Sequence, residues 1–128
     1  FFVGSLVPYA DALKPLILGV PPDLLDRCGP VSAEAARAMA HGVRARLGAD
    51  VALATTGIAG PAGGTADKPV GLAYIAVVFG DQTLVRRHLF AGDRATVRHM
   101  ATTMALEQTR RALAGLAPLG DPTDDAGL

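Results

Sequence analysis

Tryptophan is absent from this 128-residue chain, and all aromatic residues together make up only 5% of it. Half the residues are hydrophobic, so the core must pack through alanine and branched aliphatics rather than large rings. A single cysteine, Cys28, excludes an internal disulfide and offers no thiol cluster to a metal. Twelve basic residues balance twelve acidic ones, so no net field directs the chain to nucleic acid or to a membrane surface. No apolar run reaches the length of a membrane span, and neither a secretory signal nor an internal repeat is present. The expectation is one domain with one core, in a soluble, reducing, cytoplasmic setting.

What the chain has in quantity is glycine, concentrated in Thr55-Thr56-Gly57-Ile58-Ala59-Gly60-Pro61-Ala62-Gly63-Gly64-Thr65 and continued by Lys68-Pro69-Val70-Gly71. Gly57, Gly60, Gly63 and Gly64 leave backbone amides uncovered and admit dihedrals closed to other residues. Apolar runs flank the segment, Val51 to Ala54 before it and Leu72 to Phe79 after it. A glycine-rich connection between strands, with hydroxyls at both ends and a lysine nearby, suits an anionic ligand or a developing oxyanion. A long loop that needs glycine only to turn is the competing reading. Two phosphate motifs are excluded. A nucleotide-triphosphate loop needs lysine directly before its Ser or Thr at the mouth of a helix, whereas Gly64 precedes Thr65 here. The dinucleotide fingerprint fails on glycine spacing and on the missing helix.

Along the chain, strand-like and helix-like segments alternate. Phe2 to Val7 reads as a strand with Pro8 near its end. Asp11 to Leu18 reads as a short helix limited by Pro15, and Asp23 to Arg27 as one helical turn before Gly29-Pro30. Ser32 to Leu47 is a helix capped by Ser32, with Glu34 in its first turn and Gly48 at its end. Its apolar stripe is Ala35, Met39, Val43 and Leu47. His41 has no second ligand one turn away and reads as a surface residue. Asp50 to Thr55 is a buried strand, and Val70 to Phe79 with Gln82 to Phe90 form a hairpin about Gly80-Asp81. Asp93 caps a last long helix whose inner face carries Val97, Ala101, Met104, Ala105 and Gln108. Residues 118–128 have no period and read as a mobile tail. The pattern is that of an α/β domain over residues 1–117.

Four positions could carry chemistry. Tyr9 and Lys14 follow the first strand, and a lysine beside a tyrosine can activate a hydroxyl nucleophile when burial or a neighbouring cation tunes it. The bland alternative is a surface lysine and a core tyrosine. Thr56 ends a buried strand, where α/β sheets present reactive groups. Arg94 sits in the first turn of the last helix, against the helix dipole. An anionic partner such as phosphate explains it, and so does a salt bridge to Asp93 or Glu107.

Taken in order, these segments resemble the C-terminal domain of CinA proteins, also found alone as the PncC nicotinamide-mononucleotide deamidases. The resemblance is carried by Tyr9 to Lys14 with Leu18-Gly19-Val20, by Gly29-Pro30-Val31-Ser32, by Thr56 to Thr65 with Lys68 to Gly71, and by Phe90-Ala91-Gly92-Asp93-Arg94. It runs from Phe1 to about Leu116. It implies a three-layer α/β/α domain with a mixed sheet, and hydrolysis of the carboxamide of nicotinamide mononucleotide to nicotinate mononucleotide and ammonia without metal or cofactor. The family nucleophile is a serine in an E-S-C-T-G-G motif shortly before the segment matching Phe1. Neither Ser5 nor Ser32 matches it, so the first strand and the nucleophile turn are expected upstream of this chain.

By the same resemblance Lys14 would be the base, Tyr9 would assist proton transfer or position the amide, and Thr56 with the amides around Gly57 would meet substrate or oxyanion. Gly60, Gly63, Gly64 and Thr65 would line the substrate, and Arg94 would hold a ribose or phosphate group. Self-association is expected, with no nucleic-acid or membrane partner. Pro8 and Ala10 depart from the family pattern around Tyr9, and Ala10 replaces a frequent serine, which removes a hydrogen bond near the site. A non-catalytic regulatory domain of a competence- or damage-related protein is the second reading. A generic phosphate-binding domain, which would not need Lys14, is the third.

Overall fold

The computed structural model of the chain describes residues 1–123. Helices α1 (Leu13–Leu18), α2 (Pro22–Cys28) and α3 (Ala33–Leu47) precede strands β1 (Val51–Gly57), β2 (Leu72–Phe79) and β3 (Gln82–Leu89). Helix α4 (Arg94–Leu113) and a short strand β4 (Asp121–Pro122) follow. The four strands lie in the order β1-β2-β3-β4, and every pairing is antiparallel.

Local chemistry explains most boundaries. Pro15 is the third residue of α1, within the first turn, where a missing N–H is harmless. Ser32 caps α3 by accepting from the Ala35 amide at 3.1 Å, and Asp93 caps α4 by accepting from the Thr96 amide at 2.8 Å. Phe79 pairs with Gln82, so Gly80 and Asp81 form the two-residue turn of a tight hairpin.

β2 is central and apolar on both sides. Tyr74, Ala76 and Val78 meet Met39, Ala40, Val85 and Ala54 in one cluster, and Ala73 meets Phe90 and Val97 of α4 in another. Ile75, Val77 and Val78 are at most 1% exposed, and each such side chain contributes roughly 1.5–3 kcal/mol by burial. α3 buries chiefly its first half, Ala33, Ala35, Ala36, Met39 and Ala40. Val43 and Leu47, expected on the same stripe, are only half-buried.

Three expectations need correction. Phe2 to Val7 forms no strand, and Phe2, Val3 and Val7 are exposed, because the segment has no ladder partner among the described residues. The sheet expected to be mixed contains no parallel pair among the described residues. Part of the segment read as a tail is ordered: Arg86 pairs with Pro122 and Arg87 with Asp121. The remainder of that segment, residues 124–128, lies outside the described residues.

Candidate functional site

Three stretches far apart in sequence meet around Arg94. Its Nη1 donates to the Gly60 carbonyl at 3.0 Å, and its Nη2 donates to the Tyr9 hydroxyl at 3.4 Å. Arg94 opens α4, where a cation opposes the helix dipole, and Asp93 beside it supplies the compensating negative charge. Hydrogen bonds from the Thr96 backbone, then from its side chain, hold the Asp93 carboxyl below the usual carboxylate range. The salt bridge from Arg94 to Glu107 is not the explanation, since Glu107 serves Arg110 at 2.8 Å and Arg111 at 3.6 Å. A guanidinium has five N–H donors, and two distances account for only part of that capacity.

The glycine-rich loop is shaped at Gly60. Its φ is 82°, and a Cβ there would strike Val70, so only glycine presents this carbonyl to Arg94. Thr65 closes the far end of the loop: its amide donates to the Lys68 carbonyl at 2.8 Å, and its hydroxyl accepts from the Lys68 amide at 3.0 Å. Gly63 and Gly64 are exposed along the tip. Thr56 and Lys68 anchor the loop base to the turn after α2. Thr56 Oγ1 donates to the Pro30 carbonyl at 2.6 Å, and Lys68 Nζ donates to the Cys28 carbonyl at 2.8 Å.

Lys14 and Tyr9 have the opposite environments to those of a surface lysine and a core tyrosine. Lys14 is 6% exposed and Tyr9 80% exposed. A buried ammonium needs a partner, and Asp11 supplies it at 2.7 Å. The Pro8 carbonyl accepts from the same Nζ at 3.4 Å. The ammonium is thus held against the residue next to Tyr9.

Of the residues singled out in the sequence, the fold therefore brings Tyr9, Gly60 and Arg94 into direct contact. It ties Lys14 to the same segment through Pro8. The Thr56 hydroxyl is engaged with the Pro30 carbonyl, and Gly57 is exposed at the end of β1. Asp11 was missed, although its spacing three residues before Lys14 is that of a helical ion pair. Lys68 was noted without a role, and nothing in the sequence joins it to Cys28. A cavity of about 370 Å3, lined by residues that include Cys28, Ser32, Lys68 and Tyr74, includes neither Tyr9 nor Arg94.

Among the described residues no group of His, Cys, Asp and Glu could hold a metal ion. No helix among them is long and apolar enough to cross a membrane.

Comparison with known proteins places this geometry. The "CinA-like protein" of Acidobacterium capsulatum is 47% identical over 112 residues, covering 88% of this chain and 27% of the relative. The "putative competence-damage inducible protein" of Moorella thermoacetica is 45% identical over 113 residues, with the same shares covered. The chain thus spans about a quarter of the length of these relatives. Among solved structures, a competence-damaged protein (CinA) superfamily protein from Escherichia coli superposes with TM-score 0.79 at 36% identity, covering 82% of this chain and 61% of that one. The competence damage-inducible protein A from Klebsiella pneumoniae gives 0.80 at 36% identity, covering 84% and 66%. The profile of the CinA C-terminal domain matches residues 1–113, and the chain belongs to that family.

Proposed function

We propose that this domain deamidates nicotinamide mononucleotide, releasing ammonia and nicotinate mononucleotide. The observation that carries the reading is the junction of Tyr9, Gly60 and Arg94 beside a buried, paired Lys14. Amide hydrolysis needs an activated nucleophile, a proton for the departing ammonia and donors for the oxyanion. Lys14 would take the proton of a serine hydroxyl, and Tyr9 would relay or position it. Exposed loop amides at Gly63 and Gly64 would serve the carboxamide oxygen. Arg94, presented by a helix start, would hold the ribose or phosphate group. The serine is not one of those described beside Lys14: the Ser32 hydroxyl donates to the Gly29 carbonyl at 2.9 Å and caps α3, and Ser5 is exposed in the segment before Pro8.

The two apolar clusters on opposite sides of β2 support the α/β/α layering that family membership suggests. Exposed Leu106 and Leu113, seven residues apart on α4, support the self-association that belongs to the same proposal, which sedimentation velocity over a concentration series would check.

The test is ammonia release from nicotinamide mononucleotide by the whole gene product, with the 128-residue chain assayed beside it. Turnover that disappears in Lys14→Met supports the reading. Turnover that survives Lys14→Met points to a phosphate-binding domain with different chemistry. No turnover in a folded, whole gene product overturns the reading in favour of a regulatory domain.

A further inference from the structure

Beyond residue 113, where the family match ends, the chain folds back and lays residues 119–122 along β3. Two hydrogen bonds from a fully buried amide fix the approach. Gln108 Nε2 donates to the Leu119 carbonyl at 3.1 Å, and the Leu119 amide donates to Gln108 Oε1 at 3.0 Å. Gln108 is 0% exposed. Asp121 then pairs with Arg87 in the ladder, and their side chains meet at 3.4 Å.

Gly120, between these anchors, lies against His88. Its φ is 85°, and a Cβ there would come within 2.8 Å of His88 Nε2 and would also meet Cε1. The imidazole is closed in on its other side as well, stacked on Phe90 with ring centres 5.5 Å apart and planes 6° apart. His88 is 7% exposed, and its Nε2 is buried without a hydrogen-bond partner. A neutral ring tolerates such a site. A proton on Nε2 would add both a charge and a donor with no acceptor, and both are costly away from water. The cover is slight: a two-residue strand, with Asp121 and Pro122 themselves exposed.

We propose that residues 119–122 are a proton-sensitive strap, docked while His88 is neutral and lifted when the ring takes up a proton. Lifting hydrates Nε2 and gives its proton an acceptor. It also removes one wall of the 370 Å3 cavity, since Pro122 and Thr123 line it with Lys68 and Cys28. The strap therefore gates access to the turn that anchors the glycine-rich loop, and this holds whether or not the domain is a deamidase.

The charged groups acting on the ring are two. Asp121 of β4 favours the protonated form and Arg86 of β3 opposes it, while burial is the largest influence and holds the ring below its ordinary value. From α4 the strap meets Gln108, an uncharged amide, and Glu107 on that helix is engaged by Arg110 and Arg111. A ring whose affinity for protons is lower when covered favours the covered state at neutral and higher pH. That preference is lost as pH falls below about 6.5, the ordinary histidine value.

The Leu119 amide reports the strap directly, because its N–H is one of the two anchors. Hydrogen exchange at Leu119, corrected for intrinsic rate, should lose protection about tenfold between pH 8 and pH 5 with a one-proton profile. His88→Phe keeps a stacking ring but cannot titrate, and its profile should be flat. Gly120→Ala should leave Leu119 unprotected at pH 8 and raise the His88 titration midpoint toward the ordinary value. Asp121→Asn should retain the pH dependence. Flat protection in the unmodified protein overturns the proposal, as does wild-type dependence in His88→Phe or its loss in Asp121→Asn. Should His88→Phe not fold, the unmodified profile and the midpoint shift in Gly120→Ala decide the matter.

Discussion

Lys14 carries a charge into a nearly closed environment, and a single exposed carboxylate answers it. Methionine fills similar volume without the charge, and Asp11, being 65% exposed, would then be solvated. Replacing a buried ion by an apolar residue of its size is often neutral for stability. Lys14→Met should therefore shift the melting temperature by no more than a few degrees while lowering ammonia release at least about 100-fold, the scale expected for a lost proton acceptor. Arg94 makes a different prediction. Arg94→Lys keeps the charge but loses the planar fork that spans Gly60 and Tyr9. It should raise KM for nicotinamide mononucleotide about tenfold with a smaller effect on kcat, read from initial rates. The pairing of Tyr9 with Arg94 was not legible in the sequence, because no spacing rule links residues 85 positions apart. Motif order identified both residues, and only the packing of α4 on the sheet joined them.

At the scale of elements, capping carries predictable weight. Ser32→Ala should cost about 1 kcal/mol, seen as a lower urea midpoint with an unchanged denaturant slope. Gln108→Leu removes two hydrogen bonds to Leu119 and should cost about 2 kcal/mol, with loss of amide protection confined to residues 119–122. α3 was legible because Ser32, Glu34 and Gly48 mark its ends in the ordinary way, and the β2–β3 hairpin because Gly80-Asp81 splits two apolar runs. β4 was not legible. Two residues carry no period, and their register is imposed by Gln108 from another element. Phe2 to Val7 failed in the opposite sense: its composition suits a strand, but a strand is a property of a pair. The half-burial of Val43 and Leu47 has the same origin, since the core beneath α3 ends before the helix does.

For the whole molecule, the balance of 12 basic and 12 acidic residues leaves pH dependence to a few sites. Burial lowers both His41 and His88, with Arg37 and Arg44 adding to the effect at His41. The unfolded chain then binds more protons than the folded one, so stability present above about pH 6.5 is lost as pH falls through the lowered values. The urea midpoint should decline from pH 7.5 to pH 5, and His88→Phe should flatten part of that slope. A second decline belongs at acid pH, where Asp93 and Glu107, both held below the usual carboxylate range by hydrogen bonds, finally protonate. One consequence concerns how the Tyr9–Gly60–Arg94 junction comes into being. Its bonds close loops of 34 and 85 residues, and the entropy of closing loops that long is recovered only when the sheet and α4 are already in place. No fragment of the domain can assemble it ahead of the rest. Loss of function on denaturation should thus superimpose on loss of structure, with no partly folded species that still works.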